Sequence, residues 1–261
     1  MLLLYRCLTF LTFPLLILLI YFRVLFKKED KLRYKEKIYS SYFKVKKNIK
    51  KKLIWFHASS IGEVLSILPL INKMGYTNKN VEFLITSVTL SSSNLLKKKL
   101  VKFSNITHRF FPLDNEILVN SFLNSWKPDL VCFVDSEIWP NFLFKIKEKK
   151  IPLVLVNGRV TKKTFKKWKI FPKFAKKVFN NFDLCIASSH ESRGNLNKLG
   201  VKKLTFIGNL KFSVKNESIN ISEYNKAILD NFKVWCAAST HKGEELISIK
   251  THIKIKEKYN N

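Results

Sequence analysis

Four ionisable side chains, Glu63, Asp135, Glu137 and Lys211, fall where the sequence pattern places the carboxyl ends of strands. A carboxylate beside a hydroxyl can act as a general base, and a lysine can stabilise a departing phosphate or a substrate carboxylate. Parallel strands send all their carboxyl ends to one edge of a sheet, so groups far apart in the chain can converge there. Each residue also has a plainer reading. Glu63 suits the first turn of a helix, where the dipole is positive; Asp135 and Glu137 could cap a helix; Lys211 could be one more surface lysine. A helix N-terminus should moreover lower the pKa of Glu63, so desolvation by Trp55, Phe56 or a ligand has to push the other way if it is to be a base.

The elements that must position these groups are legible from periodicity. The stretch Leu53–Leu70, LIWFHASSIGEVLSILPL, joins a buried-strand pattern to a helical one through the small-residue turn Ala58–Gly62. Further strands are expected at Val81–Thr86, Thr107–Pro112, Leu130–Asp135, Pro152–Asn157, Leu184–Ala187 and Leu204–Ile207. Helices are expected from Ser93 to about Lys102, over Asn115–Trp126 before Pro128, over Lys166–Asn180, and over Glu191–Leu199 stopped by Gly200. Strands alternating with helices of this length predict a parallel α/β sheet wrapped on both faces, Rossmann-like in layout. No G-x-G-x-x-G follows the first strand, so a dinucleotide fingerprint is absent. Periodicity lapses around Ser213–Glu223, and a second α/β pattern is expected to open with Val234–Ala238 as a strand and STHKGEE as its turn.

Composition narrows the partners. With 46% hydrophobic residues among 261, the chain can bury a large core. Lys plus Arg number 48 against 19 Asp plus Glu, a net charge of +29 that favours an anionic partner. The basic residues run along the whole chain without a nucleic-acid-binding pattern, so nucleic acid is not expected. Cys7, Cys132, Cys185 and Cys236 are widely spaced and lack a C-x-x-C pair; the last three read as reduced core thiols. His57, His108, His190, His241 and His252 show no metal-binding spacing, and His57 is expected to end a strand with its ring hydrogen-bonded. No metal is expected.

From Leu2 to Phe22 the only charged residue is Arg6, and Arg23, Lys27 and Lys28 follow. The run is long enough to cross a bilayer, which takes roughly 17–25 residues, and the basic flank behind it reads as an anchor with the main body on the cytoplasmic side. Arg6 and Pro14 leave open a shallow helix that does not span. The run KVKKNIKKK, Lys44–Lys52, could touch anionic headgroups or serve as a solvated linker.

Taken in order and spacing, WFHASSIGEV, PLDNEILVNSFLNSWKPDL leading into DSEIWPN, NGRVTKKT, LGVKKLTFIGNLKF and STHKGEE resemble the 3-deoxy-D-manno-octulosonic acid (Kdo) transferases of lipid A assembly. The similarity extends from the N-terminal apolar run to about Glu245, and its most specific parts are S-x-G-E and E-I-W-P-N. The resemblance implies a GT-B fold and inverting transfer of Kdo from CMP-Kdo to a lipid A precursor, lipid IVA, at the inner membrane, without a metal or cofactor. It assigns catalytic roles to Glu63 as general base, Asp135 and Lys211. It implies substrate contacts for Ser60, Gly62, Glu137, Trp139, Asn141, Asn157, Arg159, Ser239, Thr240 and His241.

The expected organisation is a membrane helix and basic flank at 1–28, a Rossmann-like acceptor-binding domain at 29–212, a linker at 213–233 and the start of a donor-binding domain at 234–261. Two departures from the family pattern follow. Aspartate at 135 replaces the usual glutamate of E-T-E-L-W-P-N, one methylene longer. The second domain is expected to be incomplete, which makes a truncated product, one part of a split enzyme, or a lipid A-binding remnant without turnover the competing expectations; a basic peripheral protein without sugar chemistry is the third reading.

Overall fold

A computed structural model describes residues 1–45, 50–213, 222–231 and 233–259. The chain divides into two compact units, Met1–Lys215 and Asn216–Asn261. Of the expected linker at 213–233, residues 214–221 and 232 lie outside the described residues, and a helix over Glu223–Asn231 occupies most of the rest, although no helix is expected there; residues 46–49 of the Lys44–Lys52 run also lie outside.

Among the described residues, the first unit carries a seven-stranded parallel sheet in the order β3-β2-β1-β4-β5-β6-β7. Its strands are β1 (Lys52–His57), β2 (Val81–Ser87), β3 (Ile106–Phe110), β4 (Leu130–Val134), β5 (Leu153–Gly158), β6 (Leu184–Ala187) and β7 (Leu204–Phe206). The helices are α1 (Leu2–Leu25), α2 (Ile61–Thr77), α3 (Leu90–Lys99), α4 (Glu116–Trp126), α5 (Pro140–Glu148), α6 (Lys162–Lys169), α7 (Pro172–Phe179) and α8 (His190–Lys198).

The near-continuous apolar character of the strands comes from burial on both faces. Along β1, Leu53 and Trp55 enter one core with residues of α4, α5 and α7, while Ile54 and Phe56 enter a second core with α2. Trp55 and Phe56 therefore belong to opposite cores. In the first, Trp55 meets Phe111, Phe122, Phe133 and Phe142 at ring-centroid distances of 5.0–6.2 Å.

Two expected elements differ from what forms. Lys166–Asn180 is not one helix: α6 ends at Lys169 and α7 begins at Pro172, because a proline disfavours the helical conformation of the residue before it, here Phe171 with ψ of 68°. In the second unit, α9 (Glu223–Asn231) and α10 (Glu244–Tyr259) form, but Val234–Ala238 is not a strand. A strand needs a neighbour to receive its ladder bonds, and no described residue of this unit pairs with it. Cys236 is consequently exposed and Cys7 is exposed on α1, whereas Cys132 and Cys185 are buried.

Candidate active site

The strand order reverses direction between β1 and β4, and the crevice beyond the carboxyl ends of the strands at such a switch point is where open α/β sheets hold ligands. The short loop after β1 leads into the first turn of α2, which carries Glu63; the loop after β4 carries Asp135 and Glu137.

Glu63 is half-buried in the first turn of α2. Ser60 is the N-cap and its hydroxyl donates to Glu63 Oε1 at 2.7 Å, while the Ser59 amide donates to Oε2 at 2.7 Å. The Glu63 amide donates back to Ser60 Oγ at 3.4 Å, a variant of the capping box in which the Ser59 amide replaces that of the N-cap, so the plainer structural role of Glu63 is real. Burial nevertheless outweighs these bonds, and with the nearby charges of Glu137 and Asp135 it raises the Glu63 carboxyl above its usual range. Gly62 is exposed beside it, with open space where a Cβ would stand.

Asp135 sits in the left-handed region at φ 61°, and Asn157, at the end of neighbouring β5, at φ 55°. Asp and Asn tolerate this conformation better than longer side chains, which gives a physical reason for the shorter acid at 135. The Asp135 carboxylate accepts from Ser136 Oγ at 2.9 Å and from Lys211 Nζ at 3.3 Å. Lys211 lies in the short 3-10 helix Leu210–Ser213 after β7, a segment packed on α2. Its position is tied down when Asn157 Oδ1 accepts from the Leu210 amide at 3.1 Å. Asp135, Asn157, Arg159, Asn209 and Lys211 then line an open cavity of about 350 Å³ that reaches Ser188 and Glu191 beyond β6.

Glu137 is held by a buried chain that sequence reasoning left incomplete. Trp55 Nε1 donates to Thr86 Oγ1 at 2.9 Å, Thr86 Oγ1 lies 3.0 Å from His57 Nδ1, and His57 Nε2 lies 3.1 Å from Glu137 Oε2. Trp139 Nε1 donates to the same carboxylate oxygen at 2.7 Å. The tautomer that satisfies this chain carries the proton on Nε2, with Thr86 giving its hydroxyl proton to Nδ1. His57 is fully buried and stacks on Phe111 at 3.7 Å. Burial works against the Glu137 charge, but the bonds from His57 and Trp139 overcome it and hold the carboxyl below its usual range.

Asn141 is the clearest departure from the implied substrate contacts. It is buried at the start of α5, and its amide nitrogen donates to the Asp114 carbonyl at 2.6 Å and reaches Thr9 on α1 at 3.4 Å. A side chain with its donors spent this way joins elements together. Ser239, Thr240 and His241 lie in the second unit, where Thr240 Oγ1 donates to Glu245 and the His241 amide to Glu244, both at the start of α10.

A parallel α/β unit with charged side chains converging at its switch point is a ligand-binding unit of the Rossmann-like, GT-B kind. A solved UDP-GlcNAc 2-epimerase from Neisseria meningitidis shares that fold, with a TM-score of 0.55 at 17% identity over 80% of this chain and 63% of that one. The family model described as 3-deoxy-D-manno-octulosonic-acid transferase (kdotransferase) matches residues 33–214. The chain belongs to that family. It is 38% identical to a 3-deoxy-D-manno-octulosonic acid transferase of Rickettsia bellii over 94% of this chain and 57% of the relative. Against the enzyme of the same name from Rickettsia prowazekii it is 32% identical over 99% of this chain and 64% of the relative. The chain thus spans 57–64% of the length of these two relatives.

Proposed function

We propose that this chain carries the acceptor-binding and base-supplying half of a Kdo transfer, from CMP-Kdo to a lipid A precursor such as lipid IVA at the cytoplasmic face of the inner membrane. The observation that carries this reading is that Glu63, Glu137 and Asp135 converge at the switch point, close enough for the latter two charges to act on the Glu63 carboxyl, with Lys211 paired to Asp135. In the proposed step Glu63 takes the proton of the acceptor hydroxyl as that oxygen bonds to the anomeric carbon of Kdo from the face opposite the leaving group. The bond from that carbon to the phosphate oxygen breaks and CMP departs with the electron pair, which inverts the centre. Lys211, oriented by Asp135, offsets negative charge on the phosphate or on the sugar carboxylate. Such a displacement needs a base, charge stabilisation and alignment, and no resident metal or cofactor is part of the proposal.

Donor contacts are proposed for Arg159 and Asn157 on the cavity wall and for the Ser239–His241 segment; Ser60 and Gly62 would flank the acceptor hydroxyl. The test is transfer of labelled Kdo from CMP-Kdo to lipid IVA by the purified chain, with the C-terminal half of a relative supplied in trans. Transfer that vanishes in Glu63→Gln supports the reading. Lipid binding without any transfer, in the presence of that second half, overturns it and leaves a lipid-binding module.

A further inference from the structure

The apolar helix α1 is laid along the first unit over its whole length. At its beginning Tyr5 Oη donates to Asp114 Oδ2 at 2.7 Å, Arg6 pairs with Glu116 at 2.9 Å, and Thr9 receives Asn141. In the middle Phe13 joins the edge of the Trp55 core, and Ile20 is buried. At its end the Tyr21 and Tyr39 hydroxyls are 2.6 Å apart, and Arg23 Nε donates to Glu29 at 2.8 Å. Contacts at 5, 9, 13 and 20 define one helical face turned to the body.

The opposite face is a stripe of Leu4, Leu8, Leu11, Leu15, Leu18, Phe22 and Leu25, spaced alternately four and three residues apart, every one at least half exposed. A perpendicular span would have to pull the first turns of α1 away from Asp114, Glu116 and Asn141, or carry those polar partners into hydrocarbon, where unmet polar groups are costly. Asp114 follows β3 and Asn141 follows β4, so these contacts lie at the carboxyl edge of the sheet, the edge that bears Glu63 and Asp135.

From this geometry we infer that α1 is an in-plane helix: it rests on the cytoplasmic leaflet of an anionic phospholipid bilayer by its Leu/Phe stripe and seats the rim of the cleft at the membrane surface, with both helix ends on the same side. Charge selects the occupant. Arg23, Lys27, Lys28 and Lys31 stand at the end of the helix, and near its beginning Tyr5 meets Phe174 of α7 at 6.5 Å, a helix that carries Lys173, Lys176 and Lys177. Such flanks attract acidic headgroups and repel a second copy of the same stripe. The inference concerns attachment, and it stands whether or not sugar transfer is found.

The test uses the full chain with Cys7 and Cys236 changed to serine, and a single Leu3→Cys or Lys28→Cys introduced for an impermeant maleimide. Expressed in a Gram-negative host, both positions should be labelled in inverted membrane vesicles and neither in right-side-out ones. Labelling of Leu3→Cys from the periplasmic face alone shows a span and overturns the inference. With vesicles of phosphatidylethanolamine and phosphatidylglycerol, the purified chain should co-float, and Leu11→Glu with Leu15→Glu should reduce that by roughly tenfold or more, since both changes put a charge on the stripe that enters the bilayer. These two side chains face away from the body, so the change leaves the fold intact. A chain that stays in the aqueous phase, or that a Leu15→Cys variant cross-links to a second copy in place of floating, overturns the inference.

Discussion

Lys211 Nζ stands 3.3 Å from Asp135 Oδ2, joining the segment after β7 to the end of β4 across the mouth of the cleft. The lysine side chain is 44% exposed, so the pair contributes little to stability, on the order of 0–1 kcal/mol. Its value would lie in orientation. Lys211→Met is expected to lower Kdo transfer by roughly 10²–10³-fold, the usual effect of removing a positioned charge-stabilising group. The melting temperature should stay nearly unchanged. A comparable loss of stability and activity would make Lys211 structural and remove it from the proposed chemistry.

Glu63 combines a cap with a raised pKa, and the two roles separate under mutation. Glu63→Gln keeps an oxygen for the Ser59 amide and removes a partly desolvated charge; transfer should fall by about 10²-fold or more. The sign of the stability effect follows from linkage. A carboxyl whose folded pKa is raised binds its proton more tightly in the native state, so the stability it contributes is lost as pH rises from the unfolded pKa through the folded one and is level above. Glu63→Gln should therefore be no less stable than the parent at neutral pH in urea unfolding. The parent's activity should also rise with pH through a limb above the ordinary glutamate range.

Much of this arrangement was readable in advance, for identifiable reasons. Strands buried on both faces stand out as apolar runs, and the acids and the lysine that follow them are placed by chain order alone. The order of the strands in the sheet was not readable, so neither was the adjacency of β1 and β4 that joins His57 to Glu137. His57 looked like a strand end with a satisfied ring; its partner, eighty positions on, became visible only in three dimensions. Val234–Ala238 misled because its local pattern is strand-like and pairing is a non-local property. Asn141 sits in a motif that implies substrate contact, and its donors go to Asp114 and to Thr9 on α1, partners that chain order does not show.

The chain from Trp55 through Thr86 and His57 makes Glu137 an acid whose charge is maintained against burial. His57→Phe removes the donor while keeping a planar ring against Phe111. Loss of a buried partner costs about 1–3 kcal/mol, and Glu137, with the Trp139 bond left to oppose desolvation, should take up a proton at higher pH than before. The acid limb of transfer should shift upward in pH, an effect that mere loosening of the fold would not produce. His57→Gln, which retains an N–H donor, should restore part of it.

Asp114 is the buried acid that joins α1, α4 and α5. It accepts the Asn141 and Phe142 amides at 3.2 and 3.1 Å and the Tyr5 hydroxyl at 2.7 Å, yet burial still pushes its carboxyl up to about 6. A folded pKa above the unfolded value near 3.8 means that, between about pH 4 and 6, the native state holds a proton the unfolded chain has released. Stability from this group therefore falls as pH rises across that window and is level above it, a component on the order of 2–3 kcal/mol. Asp114→Asn cannot titrate, and its single carbonyl oxygen leaves one of the two α5 amides without its acceptor. Denaturant midpoints measured from pH 4 to 7 should show the mutant less stable at pH 4 and the gap narrowing toward pH 7. A constant gap across the range would place the Asp114 pKa outside the window and refute the assignment.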